Sequence, residues 1–349
     1  MDRIVKPLVI PIFIPHLGCP HQCAFCNQAI ITHEKDPLPD KDVIDKVVAR
    51  YLQYKGKRES VELAFFGGNF LGLSQETILW LLEMIKPYIC EGKIDSIRFS
   101  TRPDTITKET LDLISPYPIS AIELGVQSMN DRVLKSSNRG HTGKDTTQAM
   151  GLLKDYRVKI GVQVMVGLPQ DTETSLFEST KKIADLSPDF ARIYPLMVLK
   201  GSSLAQWYNQ GKYQPLTLEE AVRLVKEMCH IFTAADIAVI RMGLQASEMM
   251  EDTSMVIAGP WHPAFGHLVF SEMLFDKVCN SMDQGRFKSC ERILMVHPKS
   301  ASRLRGDKNM NLQKLATRYP GFKFIIRLDE CMPLQTVDVF ENYGKEKGK

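Results

Sequence analysis

Through the first two-thirds of the chain, short apolar runs of strand length alternate with longer segments whose apolar residues recur at helical spacing. The runs begin at Leu8, Val61, Asp95, Ala121, Lys159 and Phe190. Between them, Val43, Val47, Val48, Tyr51 and Leu52, and again Ile78, Leu81, Leu82 and Ile85, lay one apolar stripe along a helix. This alternation predicts an α/β fold, a parallel sheet with crossover helices built from six successive β-α units. A further helix starts at Thr217, where Glu220 three residues on completes a capping-box signature ahead of Ala221, Leu224, Val225 and Met228. The run Ile237 to Ile240 is another strand. Regular alternation stops in the Gly- and Pro-containing stretch Ala258 to Gly266, and a boundary is expected near residue 246. Beyond it lies a small α/β element: a helix from His267 to Cys279, a strand Arg292 to His297, a helix Leu312 to Tyr319, and strands Phe322 to Leu328 and Thr336 to Phe340.

Composition excludes several classes. With 349 residues, 44% hydrophobic and 24% charged, the chain is neither disordered nor fibrous. Its longest apolar stretch, Leu8 to Leu17, is cut by Pro11 and Pro15 and falls short of the roughly 20 residues a membrane helix needs. No secretory h-region or cleavage site follows Met1, so a cytoplasmic protein is expected. The net charge of +3 is unevenly placed: residues 286–349 hold 14 Lys or Arg against 7 Asp or Glu, so that tail carries +7 and the remainder −4. A basic face of this kind attracts polyanions, although charge runs also occur as plain solvated surface.

Eight cysteines in a chain large enough to bury its own core do not indicate a disulfide scaffold. Cys90, Cys229, Cys279, Cys290 and Cys331 are scattered and are expected to be inert buried thiols. The other three form Cys19-Pro20-His21-Gln22-Cys23-Ala24-Phe25-Cys26, directly after the first strand. A parallel barrel carries its active-site loops at the carboxyl ends of its strands. Three closely spaced thiolates suit an iron–sulfur cluster, or zinc if His16 or His21 completes the set. On a cubane cluster, three ligands leave one iron open to chelate a small molecule, an arrangement for catalysis.

The C-x3-C-x2-C spacing after a first strand resembles the radical S-adenosylmethionine (SAM) superfamily, and the likeness runs over residues 8 to 245. Phe65-Phe66-Gly67-Gly68-Asn69-Phe70 stands where that family has its Gly-Gly motif. Thr101-Arg102-Pro103-Asp104, Glu123-Leu124-Gly125-Val126-Gln127-Ser128 and Asn138-Arg139-Gly140-His141-Thr142 are similar to the catalytic subunit of elongator, a tRNA-modifying enzyme. Oxygen-independent coproporphyrinogen oxidase shares the Gly-Val-Gln and Gly-Leu-Pro pieces, but its aromatic lead-in is replaced by Ile14-Pro15-His16-Leu17-Gly18-Cys19, which weighs against porphyrin chemistry. The resemblance implies a partial TIM-type (β/α)6 barrel over residues 1–245 and a small C-terminal α/β domain over 246–349. It implies that Cys19, Cys23 and Cys26 ligate a [4Fe-4S] cluster. It also implies that Gly67 and Gly68 approach the SAM methionine, that Ser100, Gln127, Arg139 and Gln163 surround SAM with Arg139 on its carboxylate, and that Gly167-Leu168-Pro169 and Tyr194-Pro195-Leu196 border the adenine. Ser100 and Gln163 depart from the acidic residue, or acidic residue or His, that relatives often carry there. His141 is a candidate acid or base, with a hydrogen-bonded structural role as the alternative.

The chemistry so implied is reductive cleavage of SAM to methionine and a 5′-deoxyadenosyl radical that abstracts hydrogen from substrate, with an external electron donor such as flavodoxin or ferredoxin. An RNA base, on tRNA, is the expected substrate; the same chemistry on a small-molecule metabolite and a non-catalytic iron–sulfur or zinc protein are the alternatives. Without the acetyltransferase domain and basic amino-terminal extension of elongator-type proteins, or the three extra cysteines of methylthiotransferases, the acetyl-CoA-dependent reaction is not expected simply to carry over. Trp261 to His267, Ser302-Arg303-Leu304-Arg305-Gly306 and Asn309-Met310-Asn311 resemble the module found behind such barrels, with an implied capping role; Arg303 and Arg305 are alternatively a phosphate grip.

Overall fold

In a computed structural model of the protein, which describes residues 7–14, 18–27, 38–243, 255–285 and 289–342, the apolar runs become the parallel strands β1 (Leu8–Ile14), β2 (Val61–Gly67), β3 (Ser96–Thr101), β4 (Ile119–Gln127), β5 (Lys159–Val166) and β6 (Phe190–Pro195). A short β7 (Val198–Leu199) follows, and then β8 (Ala238–Met242), the run from Ile237, which joins the same sheet. The sheet order is β1-β2-β3-β4-β5-β6-β8, with every neighbouring pair parallel. A monotonic order with right-handed crossovers puts all connecting helices on one face and leaves the other face without them. That is half of a barrel.

The crossover helices are α1 (Lys41–Leu52), α2 (Gln75–Cys90), α3 (Lys108–Ile114), α4 (Asp131–Ser136), α5 (Gly143–Leu153), α6 (Glu173–Asp185), α7 (Ser203–Asn209) and α8 (Leu218–Ala234). Each start has a local cause. Asp40 caps α1 and Ser74 caps α2 through the amides of Val43 and Thr77, and Thr107, Thr142 and Thr172 form reciprocal capping boxes at α3, α5 and α6. The stripe Ile78, Leu81, Leu82 and Ile85 is fully buried, as are Ala221, Val225 and Met228 of α8, with Leu224 nearly so. In α1 the expected stripe holds at Val48 and fails at its amino-terminal end. Ile44 and Val48 are the buried pair, whereas Val43 is 41% exposed. The stripe passes through Ile44 and Val48, with Val47 half-buried at its edge and Val43 turned outward.

The chain divides into two compact units, Met1–Thr217 with Met228–Trp261, and Leu218–Glu227 with His262–Lys349. The boundary expected near residue 246 falls outside the described residues. Besides the half-barrel, the first unit has a two-stranded antiparallel ribbon of β7 with β9 (Val256–Ala258). The second is built on α9 (Phe265–Gln284), β10 (Glu291–Val296), α10 (Ala301–Arg305), α11 (Met310–Arg318), β11 (Lys323–Leu328) and β12 (Val337–Glu341). Its sheet runs β11-β10-β12, with β10 parallel to β11 and antiparallel to β12. Leu274, Val278, Leu294, Val296, Leu304, Leu315 and Val337 form its core. Of the five scattered cysteines expected to be buried, Cys229 and Cys279 are, but Cys90, Cys290 and Cys331 are exposed. An isolated thiol gives no periodicity from which its facing can be read. No helix among the described residues is long and apolar enough to cross a membrane.

The site-bearing end of the half-barrel is tied together by Asn69, which is fully buried just after Gly67-Gly68. Its Nδ2 donates to the Gly18 carbonyl at 2.7 Å. Its Oδ1 accepts from Thr101 Oγ1 at 2.7 Å, the Arg102 amide at 2.9 Å and Thr105 Oγ1 at 3.0 Å. One side chain thus joins the loops after β1, β2 and β3. Gly18 has φ 87, and a Cβ there would lie 2.6 Å from the Asn69 carbonyl oxygen, so only glycine lets the chain pass. Removing Asn69 leaves several buried partners unsatisfied, at about 1–3 kcal/mol per group. Asn69→Ala is expected to lower the urea midpoint clearly, whereas Asn69→Asp keeps the acceptor oxygen toward Thr101, Arg102 and Thr105 but turns a second acceptor oxygen against the Gly18 carbonyl, replacing that bond with a repulsion. That variant should stay folded but be cut by protease within residues 18–27 faster than the parent. Equal cleavage of Asn69→Asp and parent would show that the loop is held by something else.

Candidate active site

The first strand delivers the cysteine loop to the carboxyl edge of the sheet. Ile14, the last residue of β1, pairs with Gly67, the last of β2. Gly67 has φ 104, a conformation a side chain resists, so Gly67-Gly68 turns tightly against the start of the loop. The loop is then pinned from outside at nearly every step. The Ala24 amide donates to the Ser137 carbonyl at 2.9 Å, and the Ala24 carbonyl accepts from the Leu204 amide at 2.8 Å. Phe25 packs into the apolar cluster of Val133, Leu168, Leu196, Val198, Leu204 and Ala205. Asn27 Nδ2 donates to the Lys200 carbonyl at 2.7 Å. The His21 ring lies over Gly140, where an added Cβ would come within 2.1 Å of it. His21 is thus packed against the chain of Gly140, while His16 lies outside the described residues.

Cys23 is buried; Cys19 and Cys26 are half-buried. Burial pushes the Cys19 thiol up, and the nearby Arg139 and Arg102 cations pull against that shift. Among the described residues no three His, Cys, Asp or Glu side chains are already drawn to one point as a metal would draw them. The loop supplies three soft donors within eight residues, the thiolate chemistry that an iron–sulfur cluster takes.

Arg139 is the residue that faces this loop. Its Nη1 lies 3.3 Å from Cys23 Sγ, its Nη2 donates to the Gly125 carbonyl at 2.7 Å, and its Nε is buried without a partner. A Cβ on Gly125 would sit 2.6 Å from Nη2 and 3.1 Å from Gln127 Nε2, so Gly125 is the floor on which both side chains rest. Gln127, at φ 64, leaves its Oε1 buried and unpartnered. A buried, unsatisfied guanidinium nitrogen and amide oxygen next to the thiols suit a ligand that brings both a carboxylate and an ammonium group. The residues present therefore fit the amino-acid end of SAM. His141 Nε2 lies 3.2 Å from the Val126 carbonyl, and its Nδ1 has no partner. Burial, together with Arg139 and Arg102, pulls its pKa down to about 3, so the ring is neutral at physiological pH.

The remaining expected residues fall into two places. Gln163 Nε2 donates to Ser100 Oγ and to Glu123 Oε2, both at 3.0 Å, so β3, β4 and β5 bring these three together on the helix-free face. Gly167 follows the last residue of β5 and Pro195 closes β6, where Val166 pairs with Pro195. The Gly167 carbonyl accepts from Tyr213 OH at 2.7 Å.

Several buried charged groups are given no role of their own from the sequence. Arg102, with almost no exposure, makes two hydrogen bonds to Asp104 at 2.9 and 2.8 Å. Burial opposes the Asp104 charge, but the Arg102 hydrogen bonds and cation outweigh it and leave the carboxyl below its usual range. Glu123, fully buried on the helix-free face, lies 3.0 Å from Arg192 and 3.5 Å from Arg98, and Arg98 also reaches Glu62 at 3.1 Å. Arg98 and Arg192 lie over the rings of Phe190 and Phe66. The one available signal is a charged residue inside an apolar strand run, repeated in β2, β3, β4 and β6.

Comparison with known proteins gives two family matches. Residues 13–183 match the radical SAM superfamily, and residues 188–274 match the radical SAM C-terminal domain. An uncharacterized protein of Methanocaldococcus jannaschii is 29% identical over 232 residues, covering 63% of this chain and 70% of that one. The tRNA uridine(34) acetyltransferase of the same organism is 30% identical over 246 residues, covering 59% of this chain and 46% of its own length. The chain spans half or less of the length of the tRNA uridine(34) acetyltransferases it matches. Among solved structures, the archaeal Methanocaldococcus infernus Elp3 with an amino-terminal deletion shares the fold, with a TM-score of 0.61 at 21% identity over 77% of this chain and 63% of that one. With the cysteine loop at the mouth of a parallel half-barrel and both family patterns in register along the chain, the protein belongs to the radical SAM superfamily of enzymes, whose cofactors are a [4Fe-4S] cluster and SAM.

Proposed function

We propose that this enzyme holds a [4Fe-4S] cluster on Cys19, Cys23 and Cys26, cleaves SAM reductively, and modifies a base of tRNA. The observation that carries the reading is Arg139, whose guanidinium contacts Cys23 while its buried Nε waits for an acceptor. When bound, the cluster and SAM supply an electron-driven source of a 5′-deoxyadenosyl radical able to take hydrogen from an unactivated carbon.

The chain's own work is binding, orientation and exclusion of water. Arg139 Nε donates to the SAM carboxylate, and Gln127 Oε1 accepts from its ammonium. Gly67 and Gly68 let backbone come close to the methionine end. Ser100 and Gln163 present their polar ends to the ribose, anchored from below by Glu123. Gly167 and Pro195 offer backbone to the adenine. His141, neutral and bonded to the backbone of β4, positions the Gln127 turn and is too weak a base to accept a proton near neutrality. A cytosolic setting, where the eight free thiols stay reduced, and an external flavodoxin- or ferredoxin-type electron donor complete the reading.

The tRNA substrate is supported by the relatives named as tRNA uridine(34) acetyltransferases and by the +7 carried by residues 286–349. It is tested by adding bulk tRNA to the reduced, anaerobically reconstituted enzyme and measuring 5′-deoxyadenosine. Production should rise with tRNA and a modified nucleoside should appear; turnover indifferent to RNA but raised by metabolites would move the substrate to a small molecule. Separate Cys19→Ala, Cys23→Ala and Cys26→Ala variants should each lose the brown chromophore and all 5′-deoxyadenosine. A variant that keeps about four irons per chain would remove its cysteine from the ligand set.

The state of His141 gives a pH signature. Unfolded, the imidazole takes a proton near pH 6.5; folded, only near pH 3. Between those values the unfolded chain binds one more proton, so stability falls as the pH is lowered, by about 1.4 kcal/mol per pH unit. In urea unfolding from pH 7 to 4.5, His141→Gln should show a shallower acid loss than the parent. Identical slopes would mean that the ring protonates freely in the folded protein.

A further inference from the structure

The second unit carries a cationic cluster that neither the SAM site nor the core accounts for. Arg303 of α10 is half-buried, with its guanidinium carbon 4.5 Å from the centre of the Phe270 ring on α9. Among the described residues it makes no ion pair with a carboxylate, and desolvation alone pulls its pKa down. Two imidazoles stand close by. Burial and the Arg303 cation lower the His267 pKa below its ordinary value, with Asp307 pulling the other way. His262 Nδ1 accepts from the Ala264 amide at 3.1 Å, which leaves Nε2 as the nitrogen that can donate. Lys299, Arg305 and Lys308, all exposed, lie on the same stretch of chain.

A guanidinium stacked on an aromatic ring keeps its planar fork oriented, and partial desolvation strengthens any charge-assisted bond it forms. Asp307 acts on His267, but no carboxylate among the described residues pairs with the Arg303 guanidinium. We propose that Arg303, His267 and His262 form a phosphate subsite that takes a phosphodiester of an RNA, with Lys299, Arg305 and Lys308 following the backbone on either side of it. The exposed cations beyond the subsite favour a polyanion over a lone phosphate. This assignment rests on the RNA reading of the proposed function, and it puts a grip for the nucleic acid on the second unit rather than in the barrel.

The test is fluorescence anisotropy of labelled tRNA with the full-length holoenzyme between 50 and 200 mM KCl, for the parent, Arg303→Gln, Arg303→Lys and His267→Gln, with urea midpoints confirming folding. Loss of one phosphate contact lowers the slope of log K against log salt by about 0.7–0.9. Arg303→Gln should show that drop with an affinity loss on the order of tenfold; Arg303→Lys should keep the slope but lose part of the affinity, because an ammonium lacks the fork. Uncoupled SAM cleavage without RNA should be unchanged in all three variants. Parent-like affinity and slope in Arg303→Gln overturn the subsite while leaving tRNA modification standing. A parent that modifies no tRNA nucleoside but loses RNA affinity on Arg303→Gln supports the subsite and removes the base-modifying reading. Displacement of tRNA by micromolar inorganic phosphate or AMP overturns the RNA assignment in favour of a small phosphate ligand.

Discussion

Three thiols within eight residues make a useful ligand set only if the backbone that carries them cannot wander, and a loop so short cannot fix itself. Its order has to be supplied by contacts from elsewhere in the chain. Asn69 supplies the amino-terminal contact through Gly18, Gly140 accepts the His21 ring, Ser137 and Leu204 clamp Ala24 from two sides, and Phe25 is sunk in an apolar cluster. These anchors come from β2, the β4–α5 connection and the α7 region, so the loop is held only when the half-barrel has assembled. Coupling cofactor binding to tertiary structure in this way means that damage far from the cysteines should appear first as a loosened ligand loop.

The helix-free face is as unusual as the loop. Barrel interiors are commonly packed with branched aliphatic side chains, yet here Glu62, Arg98, Glu123 and Arg192 meet in the middle of the sheet. Replacing such a buried ionic set with apolar residues is often neutral or stabilising, so net stability does not explain it. Its effect is geometric. Glu123 is held between two guanidiniums, each lying over a phenylalanine ring, and it in turn holds the Gln163 amide, which bonds Ser100. A polar wall is thereby fixed before any ligand arrives, the condition under which oriented dipoles act without reorganisation.

Much of this was legible in the sequence, and the boundary between legible and hidden follows physical lines. Strand runs and the Ile78 to Ile85 stripe announce themselves because burial imposes a period. The cysteine spacing is legible because metal ligation is local. Asn69 is harder: one asparagine after two glycines looks like part of a turn, and its importance lies in partners some fifty residues back and thirty ahead. The Glu123–Arg192 contact crosses from β4 to β6 and depends on sheet order, which no single run contains. In α1, Val43 and Ile44 are equally apolar, so composition alone did not say which of them faces the sheet, and the exposure of Cys90, Cys290 and Cys331 left no pattern at all.

The arginines divide in a way that bears on both proposals. Arg98 and Arg192 share Glu123, Arg102 has Asp104, and Arg318 has Asp283, so these cations are neutralised within the protein. Arg139 and Arg303 have no such carboxylate among the described residues. Desolvating a guanidinium without a counter-charge is costly, and a fold has no structural reason to do it twice when the other arginines show that carboxylates are easily placed. Each is nevertheless held in one orientation, Arg139 by the Gly125 carbonyl and Arg303 by the Phe270 ring. An oriented cation without a partner is a site prepared for an anion that comes from outside. In the barrel that anion is a carboxylate beside the thiols; in the second unit, where exposed basic residues continue the positive charge, it is a phosphate within a chain.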